Sequence, residues 1–365
     1  MAGLYIHFPF CLSKCSYCDF YSATDCSLVN DYLENLQTEI SLRNDFFSYQ
    51  PIQSVYFGGG TPSLLTPGQI ASILRKSDSV FSIDKEAEIS IEMNPGTVEL
   101  QLLTKYSDAG INRVSIGIQS FHEDELMLLG RQHSVHQAIE FIKCVLRTGF
   151  HSVGIDLIFG LPDQNPNTWL QTLEQAVALE PHHISTYMLT WSYSTSLGRK
   201  IKSGQYSLPD EDTVSEMYLD TSSLLSAAGY EHYEISNFSR PGHRCGHNEA
   251  YWTGEKYLGL GPSAHSYNGS QRFWNVSNIN QYISVLSKHR LPLAGTENLN
   301  IRQKRIENLS LGLRRKEGIP FKWVENKKEK IHQMVTDGLA VIYKGWLSFT
   351  PMGFLMADEI VVDLI

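Results

Sequence analysis

The stretch Tyr5-Ile6-His7-Phe8-Pro9-Phe10-Cys11-Leu12-Ser13-Lys14-Cys15-Ser16-Tyr17-Cys18 decides the fold of this chain. It begins with an apolar strand, predicted over residues 3–7, and ends in a short loop with three cysteines spaced C-x3-C-x2-C. Three thiolates this close in sequence can bind three irons of a [4Fe–4S] cluster and leave the fourth iron without a protein ligand. The stretch therefore predicts an iron–sulfur site, with Cys11, Cys15 and Cys18 as ligands, directly after the first strand.

A disulfide and a zinc site are the alternatives to a cluster, and both fit the three cysteines less well. A disulfide cannot pair all three, and so short a loop gains little from a cross-link. Zinc is the better alternative, but a tetrahedral site needs a fourth ligand, and His7 is the nearby candidate. The remaining cysteines, Cys26, Cys144 and Cys245, are scattered along the chain and are not predicted to be ligands.

The composition describes an ordinary globular protein and excludes several classes. Of 365 residues, 42% are apolar and 19% are charged. A formal charge of −9 and the lack of a Lys/Arg run argue against a nucleic-acid partner. No stretch approaches the roughly 20 apolar residues of a membrane span. Met1 stands two residues before the first predicted strand, so no signal peptide is expected, and six cysteines without a disulfide framework indicate a reducing, cytoplasmic location.

Alternating strand and helix patterns fill the first half of the chain. Each predicted strand is short and apolar, and each helix that follows has one apolar face. Such repeats predict a parallel sheet with right-handed crossovers, an α/β fold whose site lies at the carboxyl ends of the strands. Periodicity alone leaves open whether the sheet is flat or curls into a partial barrel. The six predicted strands are residues 3–7, 54–57, 87–93, 113–118, 152–159 and 183–188.

The pattern changes after residue 190, which predicts three domains: 1–190, 191–299 and 300–365. The middle segment contains residues 240–267, a long connector rich in Gly, His, Tyr and Trp that suggests function. The last segment predicts a helix, a hairpin turned at Lys344-Gly345 and a final helix over 352–364, a smaller α+β, winged-helix-like unit. Acidic residues in its tail favour a packing role over DNA binding.

Polar residues recur where the predicted strands end. A glycine run, Gly58-Gly59-Gly60-Thr61-Pro62, leads from strand to helix and lets the backbone approach a ligand, although a tight turn is the ordinary reason for such a run. No Gly-Lys-Ser/Thr follows, which excludes a phosphate-binding P-loop. Glu92, Gln119 and Asp156 lie at or near the ends of other strands, and Arg131 is available to bind a carboxylate. Together they predict a pocket for a zwitterionic ligand.

Each of these residues taken alone could have an ordinary structural role. Glu92 could pair with Arg131, and Asp156 could bond to a neighbouring strand. An unpaired buried polar group costs about 1–3 kcal/mol, so some partner is required in either case. Their repetition at successive strand ends is what favours a ligand pocket.

Six motifs resemble the oxygen-independent coproporphyrinogen III oxidase-like family of the radical SAM superfamily, which has HemN and HemW branches. They are the opening Tyr5–Cys11, the run Gly58–Pro62, Glu92-Met93-Asn94-Pro95, residues 115–121, Gly130-Arg131, and residues 156–162. The resemblance implies a partial six-stranded (β/α) barrel holding a [4Fe–4S] cluster. It also implies that S-adenosylmethionine (SAM) chelates the open iron, where the reduced cluster cleaves it to a 5′-deoxyadenosyl radical. The residues implied to contact SAM are Tyr5, Phe20, Gly59, Gly60, Thr61, Glu92, Gln119, Arg131 and Asp156.

Two features favour the HemW branch of this family. The oxidase pattern has a fourth cysteine where this chain has Phe20, and the N-terminal extension of the oxidases is lacking. Coproporphyrinogen III oxidase activity is therefore not expected, although anaerobic oxidative decarboxylation of coproporphyrinogen III stays the alternative function.

A third feature is the run His247-Asn248-Glu249-Ala250-Tyr251-Trp252, which matches the H-N-x-x-Y-W motif associated with haem binding in the HemW branch. The resemblance implies a haem chaperone in which His247, Tyr251 and Trp252 bind haem. The expected partners are haem and a respiratory haem acceptor of unknown identity, with at most transient membrane association. His247 alone would ordinarily be a hydrogen-bonded loop histidine, and a metal site formed with His243 and Cys245 is a further alternative.

Overall fold

The computed structural model describes residues 2–48 and 50–365; Met1, on which the signal-peptide expectation rests, lies outside them. The strands are β1 (Ala2–Phe8), β2 (Ile52–Gly59), β3 (Ile83–Met93), β4 (Arg113–Gln119), β5 (Ser152–Phe159), β6 (His183–Met188), β7 (Glu231–Glu234), β8 (Asn237–Ser239), β9 (Lys256–Leu260), β10 (His265–Tyr267), β11 (Gln271–Asn275), β12 (Leu293–Asn298), β13 (Ile319–Pro320), β14 (Ala340–Tyr343) and β15 (Trp346–Phe349).

The α-helices follow the same chain order and alternate with the first six strands. They are α1 (Val29–Leu42), α2 (Pro67–Phe81), α3 (Leu103–Asp108), α4 (Glu123–Leu129), α5 (Val135–Thr148), α6 (Pro166–Ala178), α7 (Ser196–Lys202), α8 (Glu211–Ala227), α9 (Gly246–Trp252), α10 (Ile279–Leu286), α11 (Ile301–Leu313), α12 (Lys328–Thr336), α13 (Pro351–Leu355) and α14 (Ala357–Leu364). In the described part of the chain, no helix combines the length and the apolar character needed to cross a bilayer.

By mutual packing the chain forms two compact units, each assembled from three segments. The first contains the chain up to Leu157, Thr190–Ser207 and Glu255–Asn298. The second contains Ile158–Leu189, Leu208–Gly254 and Leu299–Ile365. The division into three domains, with boundaries near residues 190 and 299, stays a prediction.

The first unit is a mixed sheet covered by helices, which confirms the α/β class. Strands β1 to β5 pair in parallel in sequence order, and the apolar β1 is buried along most of its length. On the other side of β1 lies β9, also parallel, followed by β10, β11 and β12 in antiparallel pairing. These four strands were not predicted, because they are only three to six residues long and lie among glycines and polar residues.

Helix starts in this unit follow local chemistry. The Thr66 side chain accepts a hydrogen bond from the Gln69 backbone N–H at 3.3 Å, and the Gln69 side chain accepts one from the Thr66 N–H at 2.8 Å. This capping box, with Pro67 at the first helical position, begins α2 as predicted. The same arrangement of Ser134 and Gln137 begins α5.

A buried carboxylate joins α1 to the segment that carries the extra strands. The Glu39 side chain is fully buried and accepts hydrogen bonds from the Tyr282 hydroxyl at 2.7 Å, the Asn275 amide at 2.7 Å and the Gly261 N–H at 3.0 Å. Arg43 lies 3.6 Å away on the next turn of α1. Burial raises the pKa of Glu39 despite these donors. A buried carboxylate is costly unless hydrogen-bond donors or a cation stabilise it. Because Gly261, Asn275 and Tyr282 supply these donors, the network fixes where Glu255–Asn298 packs.

The second unit contains strands β6, β7 and β8 and a helical core. Strand β8 pairs antiparallel with both β6 and β7. Trp169 on α6 is fully buried, and its indole N–H donates to the Thr221 hydroxyl at 2.8 Å and to the Met217 carbonyl at 3.2 Å on α8. A buried indole needs such an acceptor, so this contact sets the packing of the two helices.

The C-terminal part of this unit is close to the predicted arrangement. Strands β14 and β15 form the predicted hairpin, and Lys344 and Gly345 both adopt positive φ angles, 49° and 82°, which suits a two-residue turn. Strand β13 pairs with β15 to give a third strand. The single helix predicted over 352–364 is wrong, because the helix is interrupted at Met356 between α13 and α14.

Candidate functional site

The cysteine segment starts just after β1, and backbone hydrogen bonds connect its start to Ala23. The Cys11 N–H donates to the Ala23 carbonyl at 3.0 Å, and the Ala23 N–H donates to the Pro9 carbonyl at 2.6 Å. Cys11 is buried, while Cys15 and Cys18 are half-buried. Burial raises the pKa of the Cys11 and Cys18 thiols, and the charge of Cys15 adds to the effect at both. All three sulfurs therefore lie near enough to influence one another.

The two kinds of metal site place different demands on the three thiols. In a [4Fe–4S] cube each thiolate binds a different iron, whereas a tetrahedral zinc site needs four ligands around one ion. Within residues 2–48 and 50–365, no group of three or more His, Cys, Asp or Glu side chains is placed to hold a metal ion. His7, the fourth ligand of the zinc alternative, has both ring nitrogens engaged. Nδ1 lies 3.1 Å from the Tyr5 hydroxyl and Nε2 lies 3.0 Å from the Tyr21 carbonyl.

The glycine run lies against the start of the cysteine segment. The Gly60 N–H donates to the Phe8 carbonyl and the Thr61 N–H to the Phe10 carbonyl, both at 2.8 Å. A Cβ atom at Gly60 would lie 2.6 Å from the Phe10 carbonyl oxygen, and Gly59, at φ 113°, packs against the His7 ring. A side chain would collide at either position. The glycines are therefore required for close packing against the end of β1 and the start of the cysteine segment, and their approach to a ligand stays a prediction.

The surroundings of Glu92 raise its pKa. Its Oε1 accepts a hydrogen bond from the Tyr56 hydroxyl at 3.1 Å, and its Oε2 accepts one from the Gly59 N–H at 3.2 Å. Burial of the carboxylate, with a smaller contribution from the negative charge of Asp156, raises the pKa of Glu92 to about 7. Near neutral pH this group can therefore donate or accept a hydrogen bond.

Arg131 does not pair with Glu92, the simpler partner considered from the sequence. Its Nη2 donates to the Asn94 side-chain oxygen at 2.6 Å and to the Gly117 carbonyl at 2.5 Å. Its Nη1 lies 3.5 Å from the Cys15 sulfur. The buried Nε has no hydrogen-bond partner in the described structure. Arg131 thus links the ends of two strands to the cysteine segment and keeps one donor available.

Asp156 and Gln119 complete the predicted pocket residues. Both carboxylate oxygens of Asp156 accept from the Ser115 hydroxyl on the adjacent strand β4 at 3.0 Å, the ordinary role considered from the sequence. Gln119 ends β4 at a register shift, with a left-handed φ of 75°, a conformation that costs a non-glycine residue about 1–3 kcal/mol.

Sequence reasoning missed several neighbours of these residues. Tyr17 lies close to Arg131, Cys15 and Asp156, and burial raises its pKa. Tyr17 lies between Cys15 and Cys18 in the sequence, and this position could have identified it as a site residue. Tyr56 and Ser115 were missed because each lies within a strand, where a polar side chain has no sequence feature to mark its direction. Phe20, by contrast, lies next to the segment with 68% of its surface exposed.

The H-N-x-x-Y-W motif belongs to the second unit and forms a helix, α9, where a loop was predicted. His247 is only 2% exposed, and its Nε2 lies 3.0 Å from the Tyr251 hydroxyl, one helical turn away. Burial lowers the pKa of His247 to about 3, so the imidazole is neutral. Tyr251 and Trp252 are half-buried. The i, i+4 spacing that joins His247 to Tyr251 is the helical signal that the Gly- and His-rich composition concealed.

Comparison with known proteins agrees with the motifs. Residues 5–176 match the Radical SAM superfamily. The chain is 35% identical over 368 residues to Heme chaperone HemW of Mycobacterium tuberculosis, covering 100% of this chain and 94% of that protein. It is 39% identical over 265 residues to Heme chaperone HemW of Escherichia coli, covering 72% of this chain and 69% of that protein. The chain belongs to the HemW family of radical SAM proteins.

This chain also shares its fold with a solved structure. Coproporphyrinogen III oxidase (HemN) from Escherichia coli superimposes with a TM-score of 0.86 at 24% identity, covering 100% of this chain and 89% of that chain. At this identity the likeness shows the fold alone. It confirms the predicted fold class, and the sequence matches confirm the predicted family.

Replacing Glu92 by Gln should change how folding stability depends on pH. The folded-state pKa of about 7 exceeds the ordinary 4.5. Glu92 therefore stabilises the native state fully below about pH 4.5, and this stabilisation, up to about 3 kcal/mol, is lost as pH rises through 7. Glu92→Gln lacks this titration. Its free energy of unfolding relative to wild type should therefore increase by about that amount between pH 4 and pH 8.

Urea unfolding of the cofactor-free protein at several pH values measures this difference. Glu86→Gln, which changes an exposed carboxylate on the same strand, is the matched control. Parallel pH curves for wild type and Glu92→Gln would contradict the raised pKa.

Proposed function

We propose that this protein is a haem chaperone that binds a [4Fe–4S] cluster, SAM and haem, and delivers haem to a respiratory acceptor protein in the cytoplasm or at the membrane surface. The observation that carries the proposal is the 35% identity to a protein named Heme chaperone HemW, which extends over the whole chain. Phe20, at the position of the fourth cysteine in the oxidase pattern, supports the same choice.

The cysteine segment supports the cluster. Cys11, Cys15 and Cys18 would each hold one iron, and the glycine run packs against the start of this segment. When bound, such a cluster supplies one electron and one iron that a ligand can chelate. The thiols must lose their protons on binding, so the raised pKa of Cys11 and Cys18 makes cluster assembly easier at higher pH.

The strand-end residues support SAM binding. The SAM head group has a carboxylate and an ammonium, and Arg131 has a buried Nε without a partner that suits the former. Glu92 would accept from the ammonium once ionised, and a nearby cation would lower its pKa from about 7. Tyr5, Phe20, Thr61, Gln119 and Asp156 are the remaining proposed contacts.

The α9 motif supports haem binding. A neutral imidazole has the lone pair that haem iron requires, and the lowered pKa of His247 keeps it neutral throughout the physiological range. Tyr251 and Trp252 offer flat apolar surface for the macrocycle. Because His247 Nε2 is bonded to Tyr251, haem binding requires that bond to open.

The second candidate is an oxygen-independent coproporphyrinogen III oxidase. The likeness of fold to HemN favours it. The three-cysteine segment and Phe20 favour the chaperone. The assays described below distinguish the two functions.

Cys18→Ala should abolish the iron–sulfur cluster, whereas Cys144→Ala and Cys245→Ala should retain it. One thiolate fewer leaves a second iron without a protein ligand, and the wild type should hold about four irons per chain after anaerobic reconstitution. Iron and sulfide analysis and the visible absorbance measure the outcome. Equal loss of iron in Cys245→Ala would show that the ligands are wrongly assigned.

Arg131→Ala should weaken SAM binding tenfold to a hundredfold, because a charge-assisted hydrogen bond contributes about 1.5–3 kcal/mol. Calorimetric titration of the reconstituted protein with SAM measures the affinity. Arg147→Ala, an exposed arginine on α5, is the control. Unchanged affinity in Arg131→Ala, with the cluster intact, would show that Arg131 does not bind SAM.

His247→Ala should lower haem occupancy while leaving cluster and SAM binding unchanged, because the imidazole is the proposed iron ligand. Haem titration followed by the Soret band measures occupancy, and His332→Ala, an exposed histidine of the same unit, is the control. The same protein preparations are assayed anaerobically for conversion of coproporphyrinogen III, with no turnover expected. Catalytic turnover would establish the oxidase instead, and unchanged haem binding would move the ligand to another residue.

A further inference from the structure

The proposed haem ligand is closed off in this structure. His247 is 2% exposed, and its Nε2 is occupied by the Tyr251 hydroxyl of the same helix. Movement or unwinding of α9 would break this contact and expose the imidazole to haem iron. Whatever holds α9 in place therefore controls access to His247.

One side chain, Arg244, connects the start of α9 to its surroundings. It precedes the N-cap residue Cys245, and its guanidinium contacts three carboxylates from three places in the chain. Nε and Nη2 contact both oxygens of Glu231 on β7, at 3.0 and 2.8 Å. Nη1 donates to Glu317 at 2.8 Å and to Glu249 on α9 at 3.1 Å. Arg244 thus binds the helix to β7 and to the turn before β13.

Further charges extend these contacts into a network. Lys316 lies 2.8 Å from Glu231, and Arg315 lies 3.1 Å from Glu317. The hydrogen bond from Arg244, followed by that from Lys316, lowers the pKa of Glu231 to about 2. The Arg244 side chain is 24% exposed, so each ion pair alone contributes little to stability. The bidentate contact with Glu231, and the sharing of one guanidinium by three carboxylates, make the whole network stronger than a single pair.

The N-cap residue of α9 contributes little to the start of the helix through its own side chain. Cys245 provides no side-chain hydrogen bond that caps α9, unlike the usual Ser, Thr, Asp or Asn. The backbone N–H of Cys245 donates to the Tyr233 hydroxyl at 3.3 Å, and the Arg244 guanidinium lies 5.3 Å from the Tyr233 ring centre. A seven-residue helix without such a cap is marginal by itself and depends on its tertiary contacts.

We propose that Arg244 is a positioning residue that keeps α9 closed over His247, and that release of its carboxylate contacts opens the helix to haem. The proposal rests on haem binding by this helix, the function proposed above. Removing Arg244 also leaves Glu231, Glu249 and Glu317 facing one another without their shared cation. Their mutual repulsion then favours the open state further.

Cys245 supplies a direct readout of the helix that needs no haem. Its thiol is buried, with 3% exposure, at the first turn of α9. In Arg244→Gln, alkylation of Cys245 by N-ethylmaleimide should be about tenfold faster than in wild type. Peptide mass spectrometry of the reconstituted full-length protein separates this thiol from the other five. Arg240→Gln is the matched control, because Arg240 lies in the same segment but contacts the Ala228 carbonyl and the Tyr230 ring.

Haem association distinguishes a closing role from a merely structural one. Stopped-flow mixing with haem should be several-fold faster for Arg244→Gln than for wild type, although its melting temperature is lower. A residue needed only for folding would lower stability and haem binding together. Glu317→Gln, which removes one of the three carboxylates, should give a smaller acceleration of both reactions, and 1 M NaCl should accelerate Cys245 alkylation in wild type.

Two results would overturn the proposal: unchanged Cys245 alkylation in folded Arg244→Gln, or slower haem association with faster alkylation. If Arg244→Gln does not fold, unchanged alkylation in both Glu317→Gln and 1 M NaCl overturns it equally. If no variant and no wild-type protein binds haem, the proposed function fails. The alkylation rates would still show whether Arg244 holds α9.

Discussion

The pairing of β1 with a strand on each side is the constraint on which the candidate site depends. Strand β1 pairs with β2 from Gly3 to Phe8 and with β9 from Ala2 to Ile6. Glycines on both sides pack against its end: a Cβ at Gly59 would lie 2.6 Å from the His7 ring, and one at Gly261 would collide with the His7 carbonyl. Because β1 is held this closely, the cysteine segment begins at a fixed point, and every proposed cluster and SAM contact is positioned relative to it.

Electrostatics around that point follow from two unequal carboxylates and one arginine. Glu92 shares its surroundings with Asp156, whose negative charge adds to the effect of burial and disfavours ionisation of Glu92. Arg131 does not neutralise Glu92 directly, since its donors go to Asn94, Gly117 and Cys15. Among the described residues, Glu92 is bonded to a tyrosine hydroxyl and a backbone N–H and to no cation. A ligand with an ammonium group would supply one.

Local chemistry made much of the fold predictable, and tertiary context concealed the rest. Strands β5 and β6 have the predicted bounds, because apolar runs between turn residues identify buried strands well. Helix α7 was missed because it is short, with Gly198 within it and lysines near its end, and only the Thr195 cap marks its start. Strand β12 is largely exposed, so burial imposes no alternation on its sequence.

For the site, residue types were predictable and their partners were not. The cysteine spacing, the glycine run and the polar strand ends all identified residues that the first unit brings near one another. The bond from Ser115 to Asp156 joins two strands whose alignment shifts between Gly117 and Gln119, and no local pattern encodes that shift. His247 was predicted to lie in a loop because Gly and His enrichment suggested one, whereas it lies buried in a helix.

The position of β9 in the sheet also bears on how the chain folds as it leaves the ribosome. Strand β1 meets β2 about fifty residues later in the sequence, but its other partner, β9, follows only after about 250 residues. Until then one side of an apolar strand has no hydrogen-bond partner from β9, and unpaired strand edges readily join other chains. Contacts this distant in sequence form slowly. Cellular folding factors that shield exposed strands therefore matter most for the nascent chain before residue 260 has emerged.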